Sequence, residues 1–254
     1  DDTDYAVAFA VPINTEGLKL YVSSFSGGEH NEFEHPLSSR TKMLESLTVF
    51  DDVFVPWDRV FLCGEPRLCG AIALTFVEYH RFTAVSYKLP LLDAFVRSAA
   101  TIAEMNGVPK AGHIRDKLAA LITYAESVRA LTEMAALRGR IDPHGIAYPD
   151  PLTTNMAKFT FAKGFHEAVA LVQECAGGLL VTGPGQEDWD SEEIRPILEK
   201  YLRGAVPAEE RMRMMNLIAD ITARDFGGYH AVLAIHAEGS VEAEKMQILR
   251  SYDP

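Results

Sequence analysis

Three side chains with useful chemistry lie close together in a segment that the sequence predicts to be helical. His80, Tyr87 and Lys88 fall within residues 77–88, and His80, Ala84 and Tyr87 stand at i, i+4 and i+7. Since an α-helix repeats every 3.6 residues, this spacing places His80, Ala84 and Tyr87 on one face. An imidazole there can move a proton or ligate a metal. It can equally be an ordinary helix histidine held by a hydrogen bond, and the spacing leaves both interpretations open.

Two other places carry residue types suited to catalysis or binding. Glu45 lies in a predicted strand, and a carboxylate beside an apolar ligand gains a pKa closer to what a general base needs. A solvated strand carboxylate would have no such role. Gly177 and Gly178 form a pair that lets the backbone approach a phosphate closely. The same pair also serves as a plain helix C-cap, so each position keeps two interpretations.

Composition narrows the class of protein. The chain has 254 residues, enough for one large domain or two modest ones, and a formal net charge of −12. Since phosphates attract basic surfaces, this balance argues against nucleic acid and anionic membranes as partners. No apolar run reaches the ~20 residues that a membrane-spanning helix needs.

The cysteine count indicates free thiols. Cys63, Cys69 and Cys175 make an odd number without a C-x-x-C pair. Such usage is typical of a reducing compartment, so we expect a cytoplasmic protein. The spacing of Cys63 and Cys69 matches no common ligand motif, and no metal site is predicted there.

The first part of the chain has the pattern of short strands. Residues 5–13 and 18–25 are rich in β-branched and aromatic residues, and residues 14–17 between them predict a hairpin turn. Residues 44–55 predict another strand pair, broken near Asp51.

Beyond residue 70 the apolar residues recur at helical spacing. We expect Asp150 to be the N-cap of a helix with Pro151 at its first position, Gly107 to be a C-cap, and Ser240 to precede the last helix. The predicted helices cover about 71–106, 110–138, 151–176, 191–203, 208–228 or beyond, and the residues after 240.

These patterns divide the chain into a β segment over 1–70 and a bundle of antiparallel helices over 71–254. Four or five short strands alone would leave an open sheet with unpaired edges. We therefore expect this chain to be the C-terminal portion of a longer protein whose preceding part completes the sheet.

Six segments carry a resemblance that covers nearly the whole chain. They are 50–61 (FDDVFVPWDRVF), 80–88, 106–118, 176–184 (AGGLLVTGP), 210–213 (ERMR) and 239–250. They resemble the superfamily that contains two-component flavin hydroxylases of 4-hydroxyphenylacetate and 4-hydroxybutyryl-CoA dehydratase. The two C-terminal segments are more similar to the dehydratase branch.

The resemblance implies a mainly α fold, with an acyl-CoA dehydrogenase-like C-terminal four-helix bundle preceded by the end of a β domain. It implies that FAD and substrate lie between the domains and that the bundle mediates a homotetramer. In acyl-CoA dehydrogenase-like folds a glutamine and a Gly-Gly turn at this point touch the FAD of a neighbouring subunit. Gln173, Gly177 and Gly178 are thus the implied flavin contacts, with Thr182 as a hydroxyl donor in the same loop.

The resemblance also implies catalytic residues. In the dehydratase a histidine and, seven residues later, a cysteine ligate an iron–sulfur cluster, and a lysine follows. His80 and Lys88 match, whereas Tyr87 stands at the cysteine position. A phenol with a pKa of ~10 cannot replace a thiolate, so a [4Fe–4S] cluster is not expected. Glu45 corresponds to the carboxylate proposed for proton transfer.

Three functional hypotheses follow. The first is an FAD-dependent enzyme that acts on an acyl-CoA by isomerase- or dehydratase-like chemistry without an intact cluster, with Glu45 as base and His80 and Lys88 positioning the thioester. The second is aromatic hydroxylation with a partner flavin reductase. The third is a non-catalytic assembly subunit that completes a partner's site. Ala84 and Leu233 replace a tyrosine and a carboxylate of the dehydratase, which argues against the dehydratase reaction itself.

Overall fold

The computed structural model describes residues 2–24, 30–41 and 44–252. The chain divides into two compact units, one formed by Asp1–Gly27 and Met43–Val77 and the other by Gly28–Lys42 and Glu78–Pro254. Strands dominate the first unit and helices the second. The domain boundary at residue 70 stays a prediction.

The strands of the first unit pair differently from the sequence-based expectation. They are β1 (Val7–Phe9), β2 (Leu18–Ser24), β3 (Leu44–Phe50) and β4 (Val60–Cys63). β1 pairs antiparallel with β4 and β2 with β3, which gives two separate two-stranded sheets among the described residues. The predicted hairpin of 5–13 with 18–25 is therefore wrong, as is the strand pair within 44–55. Phe25, the predicted end of the second strand, lies outside the described residues.

Gly17 explains why no local hairpin forms. Its φ is +84°, and a Cβ at this position would lie 2.3 Å from the carbonyl oxygen of Asp51. The carbonyl of Gly17 accepts a hydrogen bond from the Asp51 amide at 3.0 Å, next to the paired residues Leu18 and Phe50. The glycine thus allows a close approach between two distant segments instead of a turn between neighbouring strands.

The helices agree better with expectation. They are α1 (Pro66–Met105), α2 (Gly112–Leu137), α3 (Pro151–Ala176), α4 (Gln186–Asp190), α5 (Arg195–Tyr201), α6 (Ala208–Thr222), α7 (Asp225–His236) and α8 (Val241–Ser251), with a short hairpin of β5 (Arg140–Ile141) and β6 (Ala147–Tyr148). The predicted helix over 191–203 is reduced to α5, and α4 was not predicted.

The helix expected from residue 208 to about 228 is broken into α6 and α7. A Cβ at Gly227 would lie 2.6 Å from the backbone nitrogen of Thr222. The first turn of α7 therefore packs directly against the last turn of α6. The lack of a side chain at Gly227 makes this sharp bend possible.

The α3 helix lies at the centre of the second unit. It packs against α2, α6, α7 and α8, and its Phe165 contacts Phe95 of α1 with ring centroids 5.6 Å apart. Both rings are essentially fully buried, and burial of such a side chain stabilises a fold by roughly 2–3 kcal/mol. No helix among the described residues combines the length and apolar character needed to cross a bilayer.

Residues 30–41 lie between β2 and β3 in the sequence but pack on the helices of the second unit. Asp220 of α6 is fully buried and accepts hydrogen bonds from the amides of Leu37 and Ser38 at 2.8 and 2.9 Å. It also accepts one from the Ser38 hydroxyl. Phe33 of the same segment joins the helical core. A buried carboxylate that accepts three hydrogen bonds fixes this segment on α6.

Candidate functional site

A cavity of about 640 Å³ lies at the C-terminal end of α3. The helix ends there because Gly177 adopts φ +88° and ψ −179°, a conformation that is essentially restricted to glycine. The cavity is lined by Ala170, Gln173, Glu174, Gly177, Gly178, Leu180, Val181 and Ala223. Apart from the glycine and its two neighbours in the chain, no residue has a heavy atom within 4 Å of the position that a Cβ would take at Gly177 or Gly178. The backbone of the turn is therefore open to a ligand.

Three of the four predicted flavin contacts line this cavity. The Gln173 side-chain amide donates a hydrogen bond to the carbonyl of Thr222 at 3.3 Å. Gly177 and Gly178 form the turn. Thr182, by contrast, does not line the cavity; its hydroxyl donates to the carbonyl of Gly178 at 3.2 Å. This hydrogen bond stabilises the loop after Gly178, and Thr182 does not form part of the cavity wall.

Two segments that carry the resemblance hold this turn in place. The Asn106 amide lies 3.5 Å from the carbonyl oxygens of Cys175 and Ala176, the last residues of α3. Arg211 donates from Nε to the Asn106 side-chain oxygen at 2.6 Å and from Nη1 to Leu202. The last carbonyls of α3 thereby receive a polar partner from the residue that follows α1, and this residue is held in turn by Arg211 of α6.

The candidate face of α1 is only partly as predicted. His80 and Tyr87 are exposed, whereas Ala84 is fully buried. Lys88, one residue after Tyr87, is also buried, with 2% of its side chain exposed. His80 and Tyr87 thus share an accessible face seven residues apart, and Ala84 and Lys88 point into the helical unit.

Lys88 belongs to a buried cluster of charged side chains. Its Nζ lies 2.6 Å from Glu238 Oε2, and the Tyr87 hydroxyl donates to Glu238 Oε1 at 2.8 Å. Lys158 of α3 lies 3.7 Å from Glu238 and 3.2 Å from Glu244 of α8. Each of these contacts joins α1 or α3 to the segment that follows α7.

Arg81 extends the same cluster along α1. Its Nε donates to the backbone carbonyl of Glu238 at 2.9 Å, and its Nη1 donates to Asn155. With Arg81, Lys88 and Lys158 opposite Glu238 and Glu244, the cluster contains three cationic and two acidic side chains. Buried charges of this kind persist only when they are paired and hydrogen-bonded.

Burial dominates the electrostatics of the cluster. It lowers the pKa of Lys88, which the neighbouring Glu238 counteracts, and it lowers the pKa of Arg81. Burial also raises the pKa of Glu244 against the opposing charge of Lys158. Nearby, burial and the charge of Lys88 lower the pKa of His230 to about 4. The cluster therefore favours a neutral imidazole at His230 near neutral pH.

Glu238, Lys158 and Glu244 were not singled out from the sequence. A signal for an acidic partner was nevertheless present in α1. Lys88 stands four residues after Ala84 and four before Leu92, both on the buried face. A lysine on such a face needs a buried acidic partner. The partner lies so far along the chain that sequence spacing could not identify it.

Glu45 lies in the first unit, within β3, and its side chain is exposed. It pairs in register with Ser23 of β2. The desolvation on which its predicted role as a base depends is not provided by the neighbouring strand. Its catalytic role stays a prediction.

Two family models match the chain. The one described as 4-hydroxyphenylacetate 3-hydroxylase C terminal covers residues 69–254, and the one described as 4-hydroxyphenylacetate 3-hydroxylase N terminal covers residues 1–62. The 4-hydroxyphenylacetate 3-monooxygenase oxygenase component of Thermus thermophilus is 34% identical over 226 residues, which are 88% of this chain and 47% of that protein. The 4-hydroxybutyryl-CoA dehydratase/vinylacetyl-CoA-Delta-isomerase of Clostridium aminobutyricum is 30% identical over 98% of this chain and 54% of its own length.

A solved structure supports the fold. The FAD complex of the oxygenase component of 4-hydroxyphenylacetate 3-monooxygenase has a TM-score of 0.90 and 30% identity, over 99% of this chain and 54% of that one. The prediction of a mainly α, acyl-CoA dehydrogenase-like fold is confirmed. The chain spans about half the length of the relatives it matches.

Proposed function

This chain belongs to the 4-hydroxyphenylacetate 3-hydroxylase family, and on that premise we propose that it forms part of an FAD-dependent enzyme that hydroxylates a phenol. The observation that carries the proposal is the 640 Å³ cavity beside Gly177 and Gly178. Its volume is in the range of small-molecule sites, and its wall combines an open glycine turn with one amide side chain. These features suit the close approach of a dinucleotide.

The residues around the cavity fit FAD chemically. Glu174 on the wall would repel a diphosphate, but Lys117 pairs with it at 2.6 Å and neutralises its charge. The side-chain carbonyl of Gln173 is a hydrogen-bond acceptor, so it can bind an adenine amino group or a ribose hydroxyl, while the side-chain NH2 group donates to Thr222. FAD, when bound and reduced by a partner reductase, supplies the oxygen-activating chemistry of hydroxylation.

On α1, we assign the substrate contacts to the accessible face that carries His80 and Tyr87. His80 can bind or orient the phenol. Lys88 forms a buried ion pair with Glu238, so we assign it a role in positioning the helix behind this face and not in contacting the substrate. Glu45 is retained as a candidate base from the first unit.

Tyr87 favours hydroxylation over the acyl-CoA chemistry of the first sequence hypothesis. It occupies the position where the dehydratase has a cluster cysteine, and its hydroxyl is hydrogen-bonded to Glu238. Hydroxylation by reduced flavin requires no thiolate at this position. Acyl-CoA isomerisation or dehydration is the second candidate, and the dehydratase match over 98% of the chain supports it.

The proposal is tested on the full-length protein that contains this chain. Oxygen consumption and ring hydroxylation are measured with reduced FAD and 4-hydroxyphenylacetate, and isomerisation is measured with a 4-carbon enoyl-CoA. Product from the phenol supports the proposal. Product from the thioester alone overturns it in favour of the second candidate. A broad iron–sulfur absorption in the purified protein would contradict the interpretation of Tyr87.

Flavin binding is tested at the glycine turn. Gly178→Val fills part of the cavity wall, and we expect it to weaken FAD binding about tenfold or more, measured by flavin fluorescence. Gly228→Val is the matched control. The Cβ position of Gly228 also has no neighbouring atom within 4 Å, but this glycine lies on α7 and not at the cavity. Equal FAD affinity of the two variants would exclude this turn as the flavin contact.

We also propose that the assembled enzyme is a homotetramer served by a flavin reductase. The native mass of the full-length protein, with its flavin content, tests the assembly. A complex that holds no flavin under any condition would instead support the third hypothesis, that of an assembly subunit.

A further inference from the structure

The C-terminal end of α3, where the cavity begins, is held by the side chain of Asn106. The last carbonyls of a helix have no partner within the helix itself. The side-chain Nδ2 of Asn106 lies 3.5 Å from the carbonyl oxygens of both Cys175 and Ala176, a shared geometry that is common at helix ends. Gly177 follows directly in the chain. The position of Asn106 therefore bears on the residue with which the cavity turn starts.

Arg211 determines which way the Asn106 amide faces. A guanidinium group only donates hydrogen bonds, so the side-chain oxygen of Asn106, and not its NH2 group, faces Arg211 Nε at 2.6 Å. The NH2 group is thereby directed to the carbonyls of α3. A charged donor on the amide oxygen also polarises the amide, which strengthens its NH2 group as a donor in turn. Arg211 thus acts on the end of α3 through Asn106.

The surroundings of Arg211 keep its side chain in this position. Its Nη1 donates to the carbonyl of Leu202 at 2.9 Å, and a Cβ at Gly204 would lie 3.1 Å from its Cδ. The loop that contains Gly204 is fixed on the end of α1, because the Ala205 amide donates to the carbonyl of Met105 at 2.8 Å. A planar guanidinium can bond two acceptors in these fixed directions, whereas a lysine ammonium is a compact point charge. Arginine is therefore the residue type suited to this position.

We propose that Asn106 and Arg211 are positioning residues for flavin binding, which hold the Gly177–Gly178 turn in place and so set the preference for FAD over FMN. The inference rests on the proposed function, in which the adenosine diphosphate part of FAD meets this turn. FMN lacks the adenylate half, so a contact made at the turn raises the affinity for FAD alone. Neither residue touches the flavin; Arg211 acts on Asn106, and Asn106 acts on the last carbonyls of α3.

A purely structural role for the pair predicts a different result. Asn106 and Arg211 also join α6 to the segments that follow α1 and α5. If they only stabilise the helical unit, their replacement lowers stability and weakens the binding of FAD and FMN by the same factor. If they position the turn, the affinity for FAD falls and the affinity for FMN does not. The ratio of the two dissociation constants therefore separates the two roles.

The test measures the dissociation constants of FAD and FMN by flavin fluorescence on the full-length protein. We expect the wild type to prefer FAD about tenfold or more, since the adenylate half adds hydrogen bonds that FMN cannot make. Asn106→Asp keeps the size of the side chain and its bond to Arg211, but it places an oxygen opposite the carbonyls of α3. It should reduce the preference to about threefold or less, because two acceptors repel each other.

The matched control lies at the other end of α3. Asn155 also accepts a hydrogen bond from an arginine, Arg81, and its Nδ2 donates to a backbone carbonyl, that of Pro151, at 2.6 Å. Asn155→Asp therefore makes the same chemical change in a similar arrangement. It lies roughly 30 Å along the helix axis from Gly177, so it should keep the wild-type preference for FAD.

Two replacements of Arg211 test its directing role. Arg211→Met removes the donor and leaves the Asn106 amide free to turn, so the preference for FAD should fall about as far as in Asn106→Asp. Arg211→Lys keeps the charge and a donor, and it should retain part of the preference. Arg211 is only partly buried, so these two variants carry the test if Asn106→Asp does not fold.

The outcomes separate the inference from the function on which it rests. A wild type that binds FAD and FMN equally, or a Gly178→Val variant that keeps the preference, overturns the flavin contact at the turn and the inference with it. If Gly178→Val loses the preference while Asn106→Asp and Arg211→Met keep it, the inference alone is overturned. Equal losses of FAD and FMN affinity in the last two variants also overturn it, in favour of the structural role. Loss of the preference in both, with Asn155→Asp unaffected, supports the inference.

Discussion

Lys88 and Glu238, which are 150 residues apart in the chain, form an ion pair of 2.6 Å with side chains 2% and 3% exposed. Taking two such charges out of water costs several kcal/mol each. This cost is offset in part because the carboxylate of Glu238 also accepts a hydrogen bond from Tyr87 and lies near the charge of Lys158. The pair therefore joins a predicted site residue of α1 to a turn that sequence patterns did not reveal.

Removal of one partner should reveal this dependence. We expect Lys88→Met to lower the free energy of unfolding by about 3–5 kcal/mol, since it leaves Glu238 buried with a weaker counter-charge. Urea denaturation followed by circular dichroism provides the measurement. Lys245→Met is the control, because the Lys245–Glu242 pair is largely exposed and should contribute less than about 1 kcal/mol. Similar losses in the two variants would contradict the buried-pair interpretation.

His230 should make the fold sensitive to mild acid. Burial and the charge of Lys88 lower its pKa to about 4, whereas an unfolded histidine titrates near ~6.5. Between these values the unfolded chain binds a proton that the folded chain does not. The stability that comes from keeping His230 neutral is therefore fully present above pH ~6.5 and is lost as the pH falls towards 4. With allowance for partial exposure, the loss attributable to His230 should reach about 2 kcal/mol.

The contribution of His230 is isolated by comparing variants. Unfolding free energies are measured at several pH values between 4 and 7.5 for the wild type and for His230→Gln, which should lose less stability in acid. His144→Gln replaces an exposed histidine and should follow the wild-type profile. A profile for His230→Gln that runs parallel to the wild type would disprove the assignment.

Asp220 should control the ordering of residues 30–41. Asp220→Ala leaves the amides of Leu37 and Ser38 without their acceptor, and we expect a loss of at least about 2 kcal/mol. Amide hydrogen exchange should accelerate at Leu37 and Ser38 before it does elsewhere in the unit.

Asp142→Ala is the matched control for Asp220. Asp142 also accepts two backbone hydrogen bonds, from His144 and Ile146, but in an exposed turn. Its replacement should have a smaller effect on stability and none on exchange at Leu37. Fast exchange at Leu37 in the wild type would count against the anchoring role of Asp220.

The two glycines of the cavity turn should differ in their tolerance of a side chain. Gly177→Ala forces a side chain into a glycine-only conformation and should destabilise the chain by about 1–3 kcal/mol. Gly178 has no positive φ and no atom near its Cβ position, so Gly178→Ala should be within about 0.5 kcal/mol of the wild type. Thermal unfolding of the two variants measures this difference, and equal stability of Gly177→Ala and Gly178→Ala would refute the prediction.

The helices could be predicted well because their end signals are local. Asp150 caps α3 by accepting a hydrogen bond from the Thr153 amide at 2.8 Å, and Ser240 caps α8 in the same way. Gly107, predicted as a C-cap, has φ +75°. Each signal lies within a few residues of the helix end that it determines, so periodicity and capping rules suffice.

The strand pairing and the charged cluster could not be predicted because their partners are far apart in sequence. Residues 14–17 have the composition of a hairpin turn, yet the backbone of Gly17 packs against Asp51, whose carbonyl oxygen would lie 2.3 Å from a Cβ at this position. Lys88 alone indicated that a buried acid was required. The position of Glu238 depends on how α7 and α8 fold back over α3, which no local pattern specifies.

The anchoring of residues 30–41 on α6 also constrains the biosynthesis of the protein. Ser38 and Asp220 are 182 residues apart. At roughly 5–20 residues per second, a ribosome needs about 10–40 s to make the chain between them. For most of that interval the segment is outside the ribosome while the carboxylate that orders it has not yet been made. A nascent-chain chaperone or a protease would therefore meet this segment before α6, which carries Asp220, has been made.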